Sequence, residues 1–572
     1  MKLRNEYPRP QMKRTNYINL NGEWDFKFLN NNELINDSSF EKKIIVPFAY
    51  EYPLSGTNEA NTHYDRMLYQ RTFEINNEKD KKNYLLCFNG VDYECNVFIN
   101  NKFVGSHKGG YTYFDFDISS YIVIGTNTIT IEVIDKNDPE QVRGKQCWCK
   151  PFGCWYVPTS GIYKSVWIEE FKLDAIKTLL ITPNIDDFSF GFSLDTYYNL
   201  ATNANIKISY KGKLLKNIDF TLDNKNNKFI VYLNEENDVD STMFWTPEQP
   251  NLFDIEIELY KDNDLLDKVI TYSGMRKISI DNAGNICLNN KKYYQKLILQ
   301  QGYYQDGGLT PKDIKEFEND ILLMKKLGFN GARVHQKIED PYFYYYADKL
   351  GFLIWLECPS AYEFSNKEIT NQLNEWTTIV TQNYNFVSIV CYVPLNESWG
   401  VKKVVNDTKM QSYASALYYS TKCIDTTRLV STNDGWEITM PTDIVGVHDY
   451  IKNGQEIIDK YSSYDINSIY PQGRKLIANG FTYNNQPILF TEFGGIAIEK
   501  EKKEDDWGYN KGATNGEDLK ERIKDMLSAI HKVNFQGYCY TQLSDVQQEV
   551  NGLCYIDRKL KFELKDGEIL FY

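Results

Sequence analysis

Positive charge is scarce in this chain of 572 residues: 64 Lys and Arg face 78 Asp and Glu, which gives a net charge of −14. Because nucleic-acid binding needs clustered Lys and Arg, the sequence predicts no nucleic-acid partner. No apolar run approaches the roughly 20 residues that a membrane span requires, so we expect no membrane insertion. The first residues, Met-Lys-Leu-Arg-Asn-Glu-Tyr, lack the apolar segment of a secretory signal, and we therefore expect a cytoplasmic protein.

Metal-binding patterns are also lacking. The chain has only 5 histidines, and its 11 cysteines, an odd number, are spread through apolar runs. This distribution favours reduced thiols over a disulfide framework. Cys147, Cys149 and Cys154 form one cluster, but its C-x-C-x4-C spacing matches no usual zinc pattern and no histidine lies near. We expect neither a metal nor a cofactor.

Two β-rich segments come first along the chain. At roughly 100–200 residues per domain, the length allows about three domains. Up to residue 170, short alternating runs are separated by turns rich in Asn, Gly and Asp, as at 69–75, 84–89, 95–99 and 128–134. We predict a jelly-roll β-sandwich over residues 1–170 and an immunoglobulin-like β-sandwich over residues 171–280.

The pattern changes near residue 281, where strand-like runs begin to alternate with amphipathic helices. Thr310 and Pro311 are expected to start the first helix and Gly328 to end it. The apolar stripe of that helix is predicted at Ile314, Phe317, Ile321, Leu322 and Met324. Eight strands are predicted, at 296–301, 329–335, 352–357, 388–393, 429–432, 444–448, 488–491 and 537–540. Residues 281–572 are therefore predicted to form a (β/α)8 TIM barrel, whose chemistry lies at the strand ends.

Two glutamates lie at predicted strand ends. After the apolar run 389–393, Pro394 breaks the strand, and Asn396, Glu397 and Trp399 follow directly. These supply an amide for a hydroxyl group, a carboxyl group for proton transfer and an aromatic face for a sugar ring. Glu492 ends the seventh strand and precedes Phe-Gly-Gly. A pair of carboxylates is what cleavage of a glycosidic bond requires.

Other polar and aromatic residues also lie at or near predicted strand ends. Arg333 and His335 end the second strand, and His448 and Tyr450 the sixth. Either histidine is expected to bond a sugar hydroxyl or to be a satisfied structural residue. Three aromatic residues are candidates for pocket walls, with core packing as the alternative. They are Trp399, Trp436 and Tyr540.

Several motifs resemble glycoside hydrolase family 2, the group of β-galactosidases, β-glucuronidases and β-mannosidases. Residues 91–111 and 159–169 resemble the family's sugar-binding sandwich, and residues 245–254 resemble its immunoglobulin-like domain. Asn396-Glu397 and Glu492-Phe-Gly-Gly resemble the motifs of the acid/base and the nucleophile in the barrel. The motifs occur in the family's order and cover nearly the whole chain.

The resemblance implies a retaining exo-β-glycosidase without a cofactor. Glu397 would be the acid/base, which must hold a proton near neutral pH, and Glu492 the nucleophile. Arg333 is the candidate cation that keeps Glu492 ionised. Asn396 would bond the 2-hydroxyl group of the sugar, and Tyr450 would donate to Glu492. In this family, the loop that corresponds to Trp148, Phe152 and Trp155 can reach the mouth of the barrel. The resemblance therefore implies that Trp155 is a subsite residue.

Departures from the family pattern concern the substrate. After the second strand the chain reads Arg333-Val-His335-Gln-Lys-Ile instead of Arg-x-Ser-His-Tyr-Pro, and residues 359–364 lack the histidine of galactosidases. The Asn-x-Lys pair that holds the carboxylate of glucuronides has no match in residues 551–558. We therefore expect a neutral sugar. Among neutral sugars we expect a β-galactoside first, because β-galactosidases are frequent in this family.

The sequence leaves alternatives for the function open. They are a β-glucuronidase or β-mannosidase of the same family and, in a different class, a non-catalytic carbohydrate-binding protein on the same fold. Transglycosylation would use the same two carboxylates as hydrolysis. The sequence leaves open whether the chain forms a homo-oligomer.

Overall fold

A computed structural model describes residues 4–30, 32–35, 39–76, 82–147, 150–223, 227–234 and 239–572. Cys149 of the cysteine cluster and Trp148 of the same loop lie outside the described residues. Within these ranges, no helix is both long and apolar enough to span a membrane.

The first β-sandwich consists of a six-stranded and a four-stranded sheet. In spatial order, the larger sheet contains Lys42–Val46, Gly22–Phe28, Arg66–Ile75, Gly125–Ile134, Glu94–Ile99 and Lys102–Lys108. The smaller sheet contains Tyr17–Asn19, Val166–Phe171, Asn83–Phe88 and Phe114–Asp117. Alternation explains the packing, because Cys95, Val97 and Ile99 point into the core while their neighbours are half-exposed. Asn100 and Asn101, with φ of 50° and 63°, form the turn of the hairpin.

The second β-sandwich also has two antiparallel sheets. One contains Ile176–Asn184, Ser189–Thr196 and Asn227–Tyr232. The other contains Lys213–Thr221, Asn203–Tyr210, Phe253–Lys261 and Asp264–Ser273. Short strands outside these four sheets are Val91–Asp92, paired with Gly161–Ile162, and the set Ile278–Ile280, Ile286–Leu288 and Lys291–Lys292.

The barrel has eight parallel strands whose neighbours follow the chain order, with the first strand paired to the second and the eighth. The strands are Gln295–Gln300, Gly331–Val334, Leu353–Glu357, Ile389–Val393, Leu429–Val430, Val445–His448, Ile488–Gly494 and Gly537–Thr541. The predicted three-part architecture is thus confirmed. The fourth and fifth strands continue as Leu395–Asn396 and Asn433–Asp434, which pair with each other. This second pairing brings the segment before Glu397 beside the end of the fifth strand.

Helices α1 to α6 of the barrel are Lys315–Leu327, Pro341–Leu350, Asn366–Gln382, Thr408–Ile424, Gly454–Tyr461 and Gly516–Val533. The prediction that α1 starts at Thr310 and Pro311 is wrong, because the Thr310 hydroxyl donates instead to the carbonyl of Tyr163 in the first sandwich. Leu322, predicted in the buried stripe, is 47% exposed. Gly328 ends α1 in the left-handed conformation, as predicted.

Arg14 joins the two sandwiches. Its guanidinium contacts Glu169 of the first sandwich at 2.5 Å and Asp267 of the second at 2.8 Å, and all three side chains are buried. A separate cavity of about 410 Å³, lined in part by Lys164 and Asn385, lies where both sandwiches meet the barrel. Because a buried cation attracts both carboxylates that it contacts, we expect the relative placement of the sandwiches to depend on Arg14.

Replacement of Arg14 by Met should destabilise the protein by about 3–5 kcal/mol, because it removes the cation that both buried carboxylates contact. The measurement is the midpoint of urea unfolding followed by circular dichroism. Arg522→Met is the matched control: Arg522 pairs with Asp518 on the partly exposed surface of α6, so its loss should cost about 0–1 kcal/mol. Equal midpoints for the two variants would contradict the role of Arg14.

Candidate active site

Arg333, at the end of the second barrel strand, is completely buried among three carboxylates. Its Nε atom lies 2.7 Å from Glu357 Oε2, Nη1 lies 3.0 Å from Asp434 Oδ2, and Nη2 lies 2.8 Å from Glu492 Oε1. The three acids come from the ends of the third, fifth and seventh strands. One guanidinium thus links four strand ends, and it compensates negative charge that would be costly to bury alone.

Asn396 is oriented by the same guanidinium. Its Oδ1 atom accepts a hydrogen bond of 2.8 Å from Arg333 Nη2, which turns Nδ2 away from Arg333. Nδ2 is buried, and in the part of the chain that the structure describes it has no hydrogen-bond partner. Buried donors are rarely left unsatisfied, so this amide group is suited to receive a ligand oxygen.

Glu397 follows in the left-handed backbone conformation, with φ of 52°. Such strain typically costs a non-glycine residue about 1–3 kcal/mol and is concentrated at functional sites. Pro394 interrupts the strand before it, and the Glu397 amide donates to the carbonyl of Asp434 at 2.9 Å. In this conformation a carboxylate oxygen of Glu397 lies within 4.8 Å of one of Glu492. The half-exposed Glu397 therefore faces the buried Glu492 across a narrow gap.

His448, at the end of the sixth strand, lies between these acids. Nδ1 is 2.8 Å from Glu397 Oε1 and 3.5 Å from Glu492 Oε1, and Nε2 is 3.1 Å from Asp434 Oδ2. Burial alone lowers the pKa of His448, but the three acidic neighbours outweigh it and raise this pKa to about 9. Gly435 makes room for the ring, because a Cβ atom there would lie 2.6 Å from Nδ1.

The protonated state of His448 bears on metal binding. Ligand atoms of Glu397, His448 and Glu492 lie within 4.8 Å of one another, which is close enough to surround an ion. An imidazole must lose its proton to bind a metal, so the raised pKa of His448 opposes metal binding at neutral pH. In the structure, His448 instead contacts both glutamates directly.

Glu492 is held as an anion. Its Oε1 atom accepts from Arg333, and Oε2 accepts from the hydroxyl of Tyr450 at 2.5 Å. Burial alone would raise the pKa of Glu492, but the charges of His448 and Arg333 outweigh it and hold the pKa well below the usual range. Tyr450 is itself fixed by stacking on Tyr509, with ring centroids 3.3 Å apart. A fixed and ionised carboxylate is suited to act as a nucleophile.

Aromatic residues from two parts of the chain meet at the mouth of the barrel. Trp155, from the first sandwich, stacks on Trp399 with ring centroids 5.6 Å apart and an angle of 28°. The rings of His335 and Trp399 are 6.4 Å apart. Nδ1 of His335 lies 3.0 Å from Glu357 Oε1, and among the described residues its Nε2 atom has no hydrogen bond. Trp155, Trp399 and His335 thus share one side of the mouth.

Trp436 and Tyr540 differ in their surroundings. Among the described residues, the buried indole Nε1 of Trp436 has no hydrogen-bond partner. The ring of Trp436 contacts His448 edge-on at 5.9 Å, and Tyr540 packs on the backbone of Gly494, where a Cβ atom would collide with its ring. Trp436 therefore has a donor beside His448 that a sugar hydroxyl could satisfy. Tyr540 is fully buried, and its ring also contacts Phe571, so this residue packs in the core of the barrel domain.

Three charged residues of the site have no role in the sequence prediction. Glu357 ends the predicted third strand, at 352–357, so the strand-end rule finds it without assigning it a role, and the same rule could have found Asp434. Asp434 is less obvious, because the fifth strand proper is only the pair Leu429–Val430. Lys145 gives no such signal, since it comes from the first sandwich and reaches Trp399 only in the folded chain.

The barrel, the paired glutamates and the two preceding sandwiches together define a glycoside hydrolase architecture. Comparison with family models agrees. Residues 17–171 match the sugar binding domain of glycosyl hydrolases family 2, residues 175–276 match the model described by the family name alone, and residues 278–567 match its TIM barrel domain. The chain belongs to glycosyl hydrolases family 2.

Individual relatives share about a quarter of their residues with this chain. A candidate β-glucuronidase of Formosa agariphila is 27% identical over 415 residues, 70% of this chain and 48% of that protein. A β-galactosidase of Thermoanaerobacter pseudethanolicus is 25% identical over 307 residues, 51% of this chain and 39% of that protein. The chain thus spans about half or less of these relatives' length. The crystal structure of a β-galacturonidase from Eisenbergiella tayi, bound to galacturonate, shares the fold with a TM-score of 0.74 and 19% identity, over 97% of both chains.

Titration of His448 tests the charge arrangement. In NMR spectra of protein with ring-labelled histidine, the signal lost in His448→Gln should titrate near pH 9, against about 6.5 for an ordinary histidine. The signal lost in His335→Gln should titrate below the ordinary value, because burial lowers the pKa of His335. Since the folded-state pKa of His448 is raised, its stabilising contribution is complete below about pH 6.5 and is lost as the pH rises through 9. A midpoint at or below 6.5 for His448 would contradict the arrangement.

Proposed function

We propose that the protein is a retaining exo-β-glycosidase. The observation that supports this most strongly is the gap between Glu397 and Glu492, whose carboxylate oxygens approach within 4.8 Å. Retaining enzymes hold their two carboxyl groups about 5–5.5 Å apart, whereas inverting enzymes leave about 6.5–9.5 Å for a water molecule. The narrow gap favours direct attack by one carboxylate on the sugar.

In the first step, Glu492 attacks the anomeric carbon while Glu397 protonates the glycosidic oxygen. The bond from the anomeric carbon to that oxygen breaks, a bond to the Glu492 carboxylate forms, and the aglycone leaves as an alcohol. In the second step, Glu397 takes a proton from water, the water oxygen bonds to the anomeric carbon, and Glu492 is released. Two inversions retain the β-configuration.

Neighbouring residues support these roles. Arg333 and Tyr450 hold both oxygens of Glu492 and keep it ionised. Since His448 occupies Glu397 Oε1, the Oε2 atom is left to meet the glycosidic oxygen. After proton transfer, the imidazolium of His448 stabilises the Glu397 carboxylate that then acts as base. The unpartnered Nδ2 of Asn396 would donate to the 2-hydroxyl group, where hydrogen bonds strengthen in the transition state.

The identity of the sugar does not follow from the two carboxylates. The sequence favours a neutral sugar, with a galactoside first, because residues 551–558 lack the cation of glucuronidases. The relatives' names include β-galactosidase, β-glucuronidase and β-galacturonidase. The charged side chains at the mouth of the barrel are therefore the features that distinguish a neutral sugar from an acidic one.

Glutamine variants of the two glutamates test the roles. With nitrophenyl glycosides, Glu492→Gln should lose nearly all turnover while the protein stays folded. Glu397→Gln should lose about 10²–10⁴-fold. Because nitrophenol leaves without strong acid assistance, the Glu397 variant should accumulate glycosyl-enzyme, and azide should restore turnover by giving the β-glycosyl azide. Steady-state kinetics and product NMR provide the measurement.

The control is Glu375→Gln, which changes a buried glutamate of α3 that accepts from the amide of Tyr111, outside the site. This variant should keep its activity. Full activity in Glu492→Gln, or an α-anomer as the first product, would exclude the proposed mechanism.

A further inference from the structure

Lys145 is a residue of the first sandwich that lies in the barrel mouth. Its side chain is almost fully buried, at 7% exposure, and its Nζ atom lies 5.1 Å from the ring centroid of Trp399. The preceding residue, Gly144, packs against the carbonyl of Gln336, which follows the second barrel strand, and a Cβ atom there would collide with it. Close packing of the two loops therefore fixes where the ammonium group of Lys145 points.

Within the described ranges, the ammonium group of Lys145 forms no ion pair with a carboxylate, although Glu549, Glu492 and Glu397 all lie near enough to act on its charge. Burial lowers the pKa of Lys145, but Cys154 and these three glutamates outweigh it and raise this pKa above its usual value. The adjacent Cys154 is not an anion at neutral pH, because burial raises its pKa to about 11.

The nearby carboxylates are engaged elsewhere. Glu492 is held by Arg333 and Tyr450, and Glu397 Oε1 by His448. Glu549 accepts from the Tyr156 hydroxyl at 2.5 Å. It also accepts from the Asn551 amide at 3.1 Å. A charged lysine that is nine-tenths buried beside an aromatic wall, without an ion pair, has the features of an anion subsite.

We propose that Lys145 binds a negatively charged substituent of the terminal sugar, either the carboxylate of a uronic acid or a sulfate ester. This inference rests on the proposed function and names the substrate class of the same site. The ammonium group pairs with the anion, while Trp399 and Trp155 offer ring faces to the sugar. Lys145 also offsets the negative charge of Glu492, which would otherwise repel an anionic sugar. The first sandwich thus supplies the cation that residues 551–558 lack.

The test compares anionic and neutral sugars in the full chain. The nitrophenyl β-glycosides of glucuronic acid, galacturonic acid, glucose, galactose and the 6-sulfates of the two hexoses are assayed with the wild type, Lys145→Met and Lys164→Met. Lys164 is the matched control, because it is a buried lysine of the same sandwich. Its ammonium group donates to the backbone carbonyls of Ile338 and Glu339. Circular dichroism and thermal midpoints confirm that each variant is folded.

We expect at least one anionic glycoside to be hydrolysed faster than its neutral counterpart. Lys145→Met should lower kcat/KM for that glycoside about 10- to 150-fold more than it lowers kcat/KM for the neutral counterpart, which is the value of one hydrogen bond to a charged group. Lys164→Met should keep the preference of the wild type. Comparison of the uronic acid glycosides with the 6-sulfated glycosides identifies which anion is bound.

Two other results would overturn the inference, and they differ from a failure of the proposed function. Hydrolysis of neutral glycosides without a preference for anionic ones, or an equal loss on both classes in Lys145→Met, would refute the subsite but leave the glycosidase intact. If no glycoside is hydrolysed, calorimetric binding of free glucuronate, galacturonate and galactose 6-sulfate decides. Binding that is lost in Lys145→Met supports the subsite, and the absence of binding refutes it.

Discussion

The ion pair between Arg333 and Glu492 is the interaction on which the rest of the site depends. It keeps the proposed nucleophile ionised inside the barrel, where a lone carboxylate would take up a proton. The same guanidinium contacts Glu357 and Asp434 and orients the amide of Asn396. A single planar cation with several N–H donors can hold this many partners, which a lysine could not do with the same geometry. Catalytic charge and substrate orientation are therefore determined together.

His448 complements Arg333 from an adjacent position, since its Nε2 atom lies 3.3 Å from Arg333 Nη1. Both cations act on Glu492, while only His448 also contacts Glu397. The proposed acid/base thus has a partner that can donate to it whether or not it carries its own proton, so Glu397 can change from acid to base without leaving an unpaired charge. Asp434 stabilises both cations and is in this sense as important to the site as the residues that would touch the sugar.

The first sandwich is part of the site as well as a neighbour of the barrel. Trp155 and Lys145 both reach Trp399 from it. In a barrel enzyme the strand ends supply the reacting groups, whereas added segments can shape the substrate pocket. On this account the barrel determines the reaction, and the loop of the sandwich determines which sugar is accepted.

Local patterns predicted much of this arrangement. Hydrophobic runs located all eight strands, and the rule that chemistry lies at strand ends singled out Arg333, Glu397, His448 and Glu492. The prediction failed where long-range contacts decide the outcome. Thr310 donates to a distant carbonyl instead of starting α1, and Asp434 lies beyond a strand of only two residues.

Lys145 could not have been found at all, because its distance to the barrel is a property of the folded chain. The expectation of a neutral sugar rested on the absence of a cation near residue 551, and it did not consider a cation supplied by another domain. Nothing in the spacing of residues along the sequence connects position 145 with positions 397 and 492.

Covalent trapping of the nucleophile tests the central claim most directly. The 2-deoxy-2-fluoro glycosyl fluoride of the fastest-hydrolysed sugar should react with the enzyme, because fluoride leaves readily while the fluorine at C2 slows the second step. Intact-protein mass spectrometry should show the addition of one fluorosugar, and peptide mapping should place it on Glu492. A label on Glu397 or on any other residue, or no label with a sugar that the enzyme hydrolyses, would contradict the account.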